Sequence, residues 1–361
     1  MIYLDYQATT PLAPEARAAM LPWLGGPGSE GFANPHSPNR AWRAAAAAIE
    51  VARGHVAALL PPGGRVIFTS GATEALNMAL RGTGAARLAV SAIEHAAVLD
   101  TARAHDPALT ILPVDGEGLV DPDVPLPPGT GLVAVMQVNN EIGTVQPVAT
   151  IAERAHAIGA LMLCDAVQGA GKLAAPDGAD LIAVTAHKLY GPKGIGALWV
   201  RDGVAIDPLF HGGGQEGGLR PGTLSPALIA GFGEAARLCT TLWESDAAHV
   251  DTLWKKARAG LARWHLNGSA SARWHGNLNV RLDGLDAARV LSECRTVAIS
   301  AGSACASGSG RPSHVLRALG LSDRDAKTAL RIGFGRYTGE EELDEAIAAI
   351  SAAARAQGLS V

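Results

Sequence analysis

Residues 161–200 read LMLCDAVQGAGKLAAPDGADLIAVTAHKLYGPKGIGALWV, and this stretch decides the fold. It contains three short apolar runs, LMLC, LIAV and GALWV, and glycine, proline or polar residues bound each of them. Apolar runs of this length between turn residues indicate buried strands.

The same pattern extends back to about residue 65. Four further apolar runs, RVIFTS, RLAVSAI, LTILPV and GLVAVMQV, alternate with helical patterns such as ATEALNMALRG and VATIAERAHAIG. Alternation of strands and helices is typical of an α/β domain with crossover helices. We therefore predict an α/β fold with a mostly parallel, seven-stranded sheet.

The pattern changes near residue 245. A long helical pattern covers residues 225–264, and beyond it short strands such as NLNVRL, VAIS and LRIGF mix with helices. This mixture predicts a smaller α+β domain in the C-terminal part of the chain.

Composition and charge exclude several classes of function. Of the 361 residues, 48% are hydrophobic and 18% are charged, as in a compact globular protein. The formal net charge is -4 at pH 7 with no run of lysine and arginine, so neither nucleic acid nor a membrane surface is an expected partner. Because the N-terminus lacks a signal-peptide pattern and no long apolar span occurs, we expect a cytoplasmic location.

Polar residues follow five of the apolar runs, at the point where each predicted strand ends. In a parallel sheet, ligands collect beyond the carboxyl ends of the strands, so these residues are the candidates for a binding site. They are residues 70–73, Glu94 with His95, residues 139–141, Asp165 with Gln168, and residues 185–188.

Lys188 and Asp165 are the candidates with the most specific chemistry. Lys188 is one of only six lysines, and a lysine in a dry pocket loses its proton readily and can form a Schiff base. A carboxylate such as Asp165 can pair with a pyridinium nitrogen and keep that ring an electron sink. Taken alone, each also has an ordinary interpretation, as a solvated lysine and as a turn residue.

The other candidates complete a set. The turn TSGAT leads into a helix whose free N–H groups, with the Thr73 hydroxyl, suit a phosphate, although an ordinary N-capped turn has the same pattern. His95 can stack on a flat ring, and Asn140 and Gln168 can donate to a phenolate oxygen, or each can have a purely structural part. The combination on successive strand ends predicts a site for pyridoxal 5'-phosphate.

Motifs along nearly the whole chain resemble one family, the pyridoxal-phosphate-dependent cysteine desulfurases of the NifS/IscS type. The motifs that carry the resemblance are, in order, YLDYQATTPL, NPHS, FTSGATEALN, EHAAVLD, VNNEIGTVQP, CDAVQGAGK, TAHKLYGPKGIGAL, HGGGQEGGLRPGT, SAGSACAS and LRIGFGR.

The resemblance implies the fold and domain organisation. It implies a fold-type I pyridoxal-phosphate transferase of the class-V aminotransferase kind. Residues 12–245 would form the large cofactor-binding domain, and residues 1–11 and 246–361 the small domain that carries the cysteine loop.

The resemblance also implies roles at the cofactor. Lys188 would hold it covalently and act as the proton-transfer base, Asp165 would pair with the pyridine nitrogen, and His95 would stack on the ring and relay protons. The other implied contacts are Gln168 and Asn140 at the ring oxygen, and Ala72, Thr73, Thr185, His187 and Thr223 at the phosphate. Thr223 would come from the second subunit of a homodimer.

The reaction implied by the resemblance converts L-cysteine to L-alanine. Arg331 would bind the substrate carboxylate, with Asn34 and Asn140 as helpers. The Cys305 thiolate would attack the substrate sulfur. The resulting persulfide would pass to a sulfur-acceptor protein for iron–sulfur clusters or thiolated products.

The cysteines themselves are four widely spaced residues with no Cys-x-x-Cys pair, so each is a single thiol rather than part of a disulfide framework or zinc site. Cys305 lies among alanine, glycine and serine, which predicts a presented thiol. Cys164, Cys239 and Cys294 lie in strand or helix patterns and are predicted to be small buried hydrophobes.

Three alternatives stay open at this level. Another class-V enzyme, such as a selenocysteine lyase, an aminotransferase or an epimerase, would use Lys188 and Asp165 but would not need Cys305. A non-catalytic sulfur carrier or scaffold could keep the fold without the chemistry. A nucleotide-binding domain is least supported, because no G-x-x-x-x-G-K-[ST] motif occurs.

Overall fold

The computed structural model describes residues 1–29, 31–37, 40–301 and 312–361. The strands are β1 (Ile2–Tyr3), β2 (Gly64–Thr69), β3 (Leu88–Ser91), β4 (Thr110–Leu112), β5 (Leu132–Ala134), β6 (Leu161–Asp165), β7 (Leu181–Thr185), β8 (Gly196–Arg201), β9 (His265–Leu266), β10 (Asn277–Arg281), β11 (Val297–Ala298) and β12 (Ala329–Gly333). The helices are α1 (Pro14–Met20), α2 (Arg40–Ala57), α3 (Ala72–Gly82), α4 (Ala96–His105), α5 (Val148–Ala157), α6 (Pro226–Thr241), α7 (Trp243–Gly260), α8 (Ala287–Glu293), α9 (His314–Ala318), α10 (Asp323–Ala326) and α11 (Glu340–Ala356). Among these helices, none combines the length and the apolar character needed to cross a bilayer.

The large sheet has seven strands in the described part of the chain, in the order β2-β8-β7-β6-β5-β3-β4. β8 runs antiparallel to both of its neighbours, and the other pairs are parallel. This confirms the predicted α/β fold with a mostly parallel, seven-stranded sheet. The interior strand β7 is buried along its whole length, which explains why its sequence is uniformly apolar up to Thr185.

Helices cover both faces of this sheet. Val66 and Phe68 of β2 pack on one side with residues of α2, α5 and α6, and Ile67 between them packs on the other side with residues of α3 and α4. Successive strand side chains point to opposite faces, so a continuous apolar run supplies both cores at once.

The C-terminal part of the chain forms most of a second hydrophobic core. The antiparallel strands β12, β10 and β9 form one small sheet, and β1 pairs with β11 in another. Leu4 joins Leu253, Phe334, Leu343 and Ile350 in a single buried cluster. The N-terminal residues thus pack with the C-terminal half, and the division at residues 11 and 245 stays a prediction.

Candidate active site

One cavity of about 850 Å³ brings most of the candidate residues together at the carboxyl edge of the large sheet. Among the residues that line it are Ala72, Thr73, His95, Asn140, Asp165, Gln168, Thr185, His187, Lys188 and Arg331. Leu76, Met136 and Val138 add apolar wall. A concave site with a few convergent polar groups and apolar walls is typical of a cofactor pocket.

Lys188 reaches the cavity from a one-turn 3-10 helix that directly follows β7. Its Nζ donates to the carbonyl oxygen of Ala8 at 2.8 Å and also to that of Gln7. Two residues on, Tyr190 has a left-handed backbone with φ of 67°, and its hydroxyl accepts from the Arg336 N–H at 2.9 Å. The hydrogen bonds of Lys188 and of Tyr190 flank the strained turn, and together they hold the amine at the cavity.

Asp165 ends β6 and is buried. Its Oδ1 accepts from the Val167 N–H at 2.9 Å. Burial raises the pKa of this carboxyl, while the Val167 hydrogen bond and the charges of His95 and Lys188 act in the opposite direction. A buried carboxyl of this kind favours a cationic ligand group, and a pyridinium N–H is one.

His95 is the N-cap of α4, and its Nδ1 accepts from the Ala97 N–H at 3.1 Å. In a neutral ring the hydrogen is therefore on Nε2. The preceding Glu94 is fully buried, and its Oε1 accepts from the Ser91 hydroxyl at 2.5 Å and from the Met136 N–H at 2.8 Å. Burial, with the charge of Asp165 in addition, raises the pKa of Glu94 to about 8, so Glu94 is predominantly protonated at pH 7.

Gln168 and Asn140 supply amides at the cavity. The Gln168 Nε2 donates to the Gln7 carbonyl at 3.0 Å, and its Oε1 is buried with no hydrogen-bond partner among the described residues. An amide nitrogen carries two N–H groups, so this one bond leaves the second for a ligand. An unsatisfied buried amide oxygen is expected where a polar ligand completes the site.

The N-terminus of α3 forms the anion-binding end. Gly71 is its N-cap, and no side chain in the described part of the chain caps the helix there. Thr73 is exposed. Glu74 in the first turn forms an ion pair with Arg220 at 2.8 Å, and this pair compensates its negative charge. The free backbone N–H groups and the helix dipole suit a phosphate.

His187 and Thr185 lie beside that end. Burial and the charges of Lys188, Lys193 and Lys172 lower the pKa of His187 to about 4, so its imidazole is neutral and has a single N–H. The Thr185 hydroxyl donates to the Ile195 carbonyl at 3.1 Å, so it must rotate before it can donate to a phosphate.

Arg331 lies at the other end of the cavity and is 1% exposed. Its Nη2 pairs with Asp5 Oδ1 at 2.6 Å and donates to the Ser300 hydroxyl at 3.3 Å, and its Nη1 donates to the Asn140 carbonyl at 3.3 Å. Asp5 lies in the motif YLDYQATTPL, but no role was predicted for it. The available signal was its place directly after the apolar run IYL, as at the other strand ends.

Two predicted residues do not line the cavity in a single chain. Thr223 is exposed, and its predicted approach from a second subunit stays a prediction. Asn34 is also exposed, and its Oδ1 accepts from the His36 N–H at 2.9 Å. Its predicted role as a substrate helper likewise stays a prediction.

The cysteines separate into two groups. Cys305, the predicted nucleophile, lies in residues 302–311, outside the described residues. Cys164, Cys239 and Cys294 are buried, as predicted. Burial raises the pKa of each of these three thiols, so none of them is a ready thiolate.

These residues fit pyridoxal 5'-phosphate. Lys188 presents an amine at the cavity, Asp165 is a buried acid suited to the ring nitrogen, and Gln168 keeps one amide N–H for the ring oxygen. The N-terminus of α3 offers its N–H groups to a phosphate. Each chemically distinct part of that cofactor therefore has a complementary group on this chain.

The chain is similar to known proteins over almost its whole length. The family model described as aminotransferase class-V matches residues 2–346. A protein of Rickettsia bellii named cysteine desulfurase IscS is 40% identical over 96% of this chain and 89% of its own length. A mitochondrial cysteine desulfurase of Arthroderma benhamiae is 42% identical over 97% of this chain and 73% of its own length. A solved structure of a NifS-like protein matches with a TM-score of 0.89 and 29% identity, over 99% of this chain and 100% of that one.

Proposed function

The chain belongs to the aminotransferase class-V family, and we propose that it is a cysteine desulfurase, an enzyme that converts L-cysteine to L-alanine. The observation that carries the proposal is the convergence of Lys188, Asp165 and His95 with Arg331 around one cavity. An amine and an acid suited to a pyridine ring thus share a space with a guanidinium suited to an amino-acid carboxylate.

The cofactor of this reaction would be pyridoxal 5'-phosphate. When bound, it supplies an electron sink that lowers the cost of removing the α-proton of an amino acid. Lys188 would hold it covalently, Asp165 would face its ring nitrogen, and His95 would stack on its ring. Ala72 and Thr73 at the start of α3 would hold the phosphate, with Thr185, His187 and the partner copy's Thr223.

Arg331 would bind the α-carboxylate of L-cysteine. A guanidinium matches a carboxylate in both charge and planar geometry. Lys188, released from covalent attachment, would move the proton at the substrate α-carbon.

Cys305 would take the sulfur. Its thiolate attacks the substrate sulfur, an S–S bond forms, and the C–S bond of the substrate breaks. A proton replaces sulfur on the substrate carbon, so L-cysteine and the Cys305 thiol become L-alanine and a Cys305 persulfide, and no external oxidant is needed.

Three further features complete the proposal. The persulfide would pass to a sulfur-acceptor protein for iron–sulfur clusters or thiolated products. The enzyme would work as a homodimer, in which Thr223 reaches the second copy's phosphate site. The expected location is the cytoplasm.

The proposed function is tested by replacing the predicted nucleophile. Cys305→Ala is expected to lower L-alanine formation from L-cysteine by about three orders of magnitude, as expected for loss of an attacking group. Its visible absorption from bound cofactor should be unchanged, because Cys305 is not a cofactor ligand. Mass spectrometry of the unaltered enzyme after L-cysteine should find one added sulfur on the peptide that carries Cys305.

Cys294→Ala is the matched control, since it removes a buried thiol of the second core. It should keep both the activity and the persulfide. Undiminished L-alanine and sulfide release from Cys305→Ala would overturn the assignment and favour another class-V reaction.

A further inference from the structure

Arg331 already has a carboxylate partner in the protein. Asp5 Oδ1 lies 2.6 Å from its Nη2, and the second Asp5 oxygen accepts from the Ser300 hydroxyl at 2.8 Å. The backbones agree with this arrangement, because Ser300 and Arg331 exchange N–H···O bonds of 3.2 and 2.7 Å. Asp5, Ser300 and Arg331 therefore form one compact polar cluster.

The two members of the ion pair lie differently relative to the cavity. Arg331 lines it, whereas Asp5 does not, and the Asp5 side chain is 17% exposed. The Arg331 Nε is buried and has no hydrogen-bond partner among the described residues. Asp5 thus holds the guanidinium from a position outside the cavity lining. Arg331 keeps an N–H group that can donate to a ligand.

An unpaired buried guanidinium would bind any carboxylate strongly, because its charge would otherwise be uncompensated in a low-dielectric site. A neighbouring carboxylate removes part of that driving force. L-cysteine and L-alanine carry the same α-carboxylate, so a gain in carboxylate affinity would tighten product as well as substrate.

We propose that Asp5 is a positioning residue that orients Arg331 and weakens its attraction for amino-acid carboxylates, so that L-alanine leaves after each turnover. This inference rests on the proposed function, because it takes Arg331 as the substrate-carboxylate site. It adds a residue that sets the affinity of that site.

The test is the dissociation constant of L-alanine, measured from the spectral change of the cofactor-loaded enzyme. In Asp5→Asn, the amide oxygen can still accept from Arg331 and the amide nitrogen can donate to Ser300, so geometry is kept while the charge is lost. We expect L-alanine to bind about tenfold more tightly to this variant, which corresponds to about 1.4 kcal/mol. The KM for L-cysteine should fall together with the inhibition constant for L-alanine.

Three further variants keep the test decisive. Ser300→Ala retains the Asp5 charge and should leave the L-alanine affinity within about twofold of the unaltered enzyme. Asp5→Ser is neutral and smaller, and it should show the same gain if Asp5→Asn does not fold. Combined with Arg331→Gln, the Asp5→Asn change should give no gain.

The outcomes separate this inference from the proposed function. If the unaltered enzyme forms no L-alanine from L-cysteine, or if Arg331→Gln binds L-alanine unchanged, the proposed function or its carboxylate site is wrong. If both behave as expected but neither Asp5 variant binds L-alanine more tightly, the role assigned to Asp5 is wrong. A merely structural role would lower the melting temperature without raising the L-alanine affinity.

Discussion

Positive charge is compensated differently near the two ends of the cavity. At the substrate end, Arg331 is paired with the Asp5 carboxylate at 2.6 Å. Near the cofactor end but outside the cavity lining, Lys172 has no ion pair with a carboxylate in the described part of the chain and instead lies over the Trp274 ring, 4.5 Å from its centroid. Burial and the charge of Lys188 lower the pKa of Lys172 to about 7.

This difference follows from what each end receives. The cofactor end is expected to hold a phosphate permanently, so surplus positive charge near that end has an anion to attract it. The substrate end binds and releases a carboxylate in every turnover, so its guanidinium needs a resident counter-ion. A permanently bound anion and an anion that is released in every turnover therefore require different compensation of positive charge at the two ends.

Lys188→Ala is the change with the largest expected effect, and it removes the covalent anchor of the cofactor end. L-alanine formation should fall by about three to four orders of magnitude, the upper range for loss of a general base. Gel filtration should strip the visible absorption from the variant, while the far-ultraviolet circular dichroism stays unchanged. A variant that keeps its visible band through gel filtration would contradict the assignment of Lys188.

Much of the cofactor end could be predicted from sequence alone. His95, Asp165 and Lys188 each follow a recognisable apolar run, and the carboxyl ends of parallel strands meet at one edge of a sheet. A local pattern therefore placed them together. The orientation of β8 was less visible, because an apolar run such as GALWV has the same appearance in either direction.

The connection before β8 was the signal for that orientation. Only residues 186–195 separate β7 from β8, and a parallel crossover needs about a dozen residues or more. The antiparallel pairing is therefore required by length. The apolar pattern alone could not show this.

The substrate end could be predicted only in part. Arg331 was found through the family motif, but its partnership with Asp5 joins positions 326 residues apart. The two-residue strand β1 reaches its place by pairing with β11, and no local periodicity indicates that contact. Long-range pairing of short strands decides this end, which is why sequence reasoning missed Asp5.

Arg331→Gln has the next largest expected effect and acts on the substrate end alone. The KM for L-cysteine should rise about 100-fold, because a charged hydrogen-bonded contact worth about 3 kcal/mol is lost. The visible absorption of bound cofactor should stay as in the unaltered enzyme. Arg289→Gln removes an exposed ion pair with Glu293 on α8 and serves as the control with unchanged KM.

If Arg331→Gln removed the visible band as strongly as it raised the KM, the two ends would not be separable. The comparison between a cofactor end and a substrate end would then fail. A selective rise in KM would support it.

Lys172→Met has the smallest expected effect and measures the uncompensated charge next to the cofactor end. Methionine keeps an unbranched apolar side chain against Trp274 but removes the ammonium. In the folded protein the pKa of Lys172 is about 7, below its ordinary value of 10.5, so the unfolded chain binds more protons between these values. The stability of the unaltered protein therefore rises with pH across this window and falls as the pH drops to about 7.

The variant lacks this titration, so its melting temperature should exceed that of the unaltered protein most at pH 6. The difference should shrink steadily towards pH 9. Lys256→Met is the matched control, because Lys256 is a surface lysine paired with Glu340 and Asp344, and its loss should give no gain at pH 6. Equal differences at both pH values would mean that the Lys172 ammonium is compensated in the folded protein, and the contrast with Arg331 would then disappear.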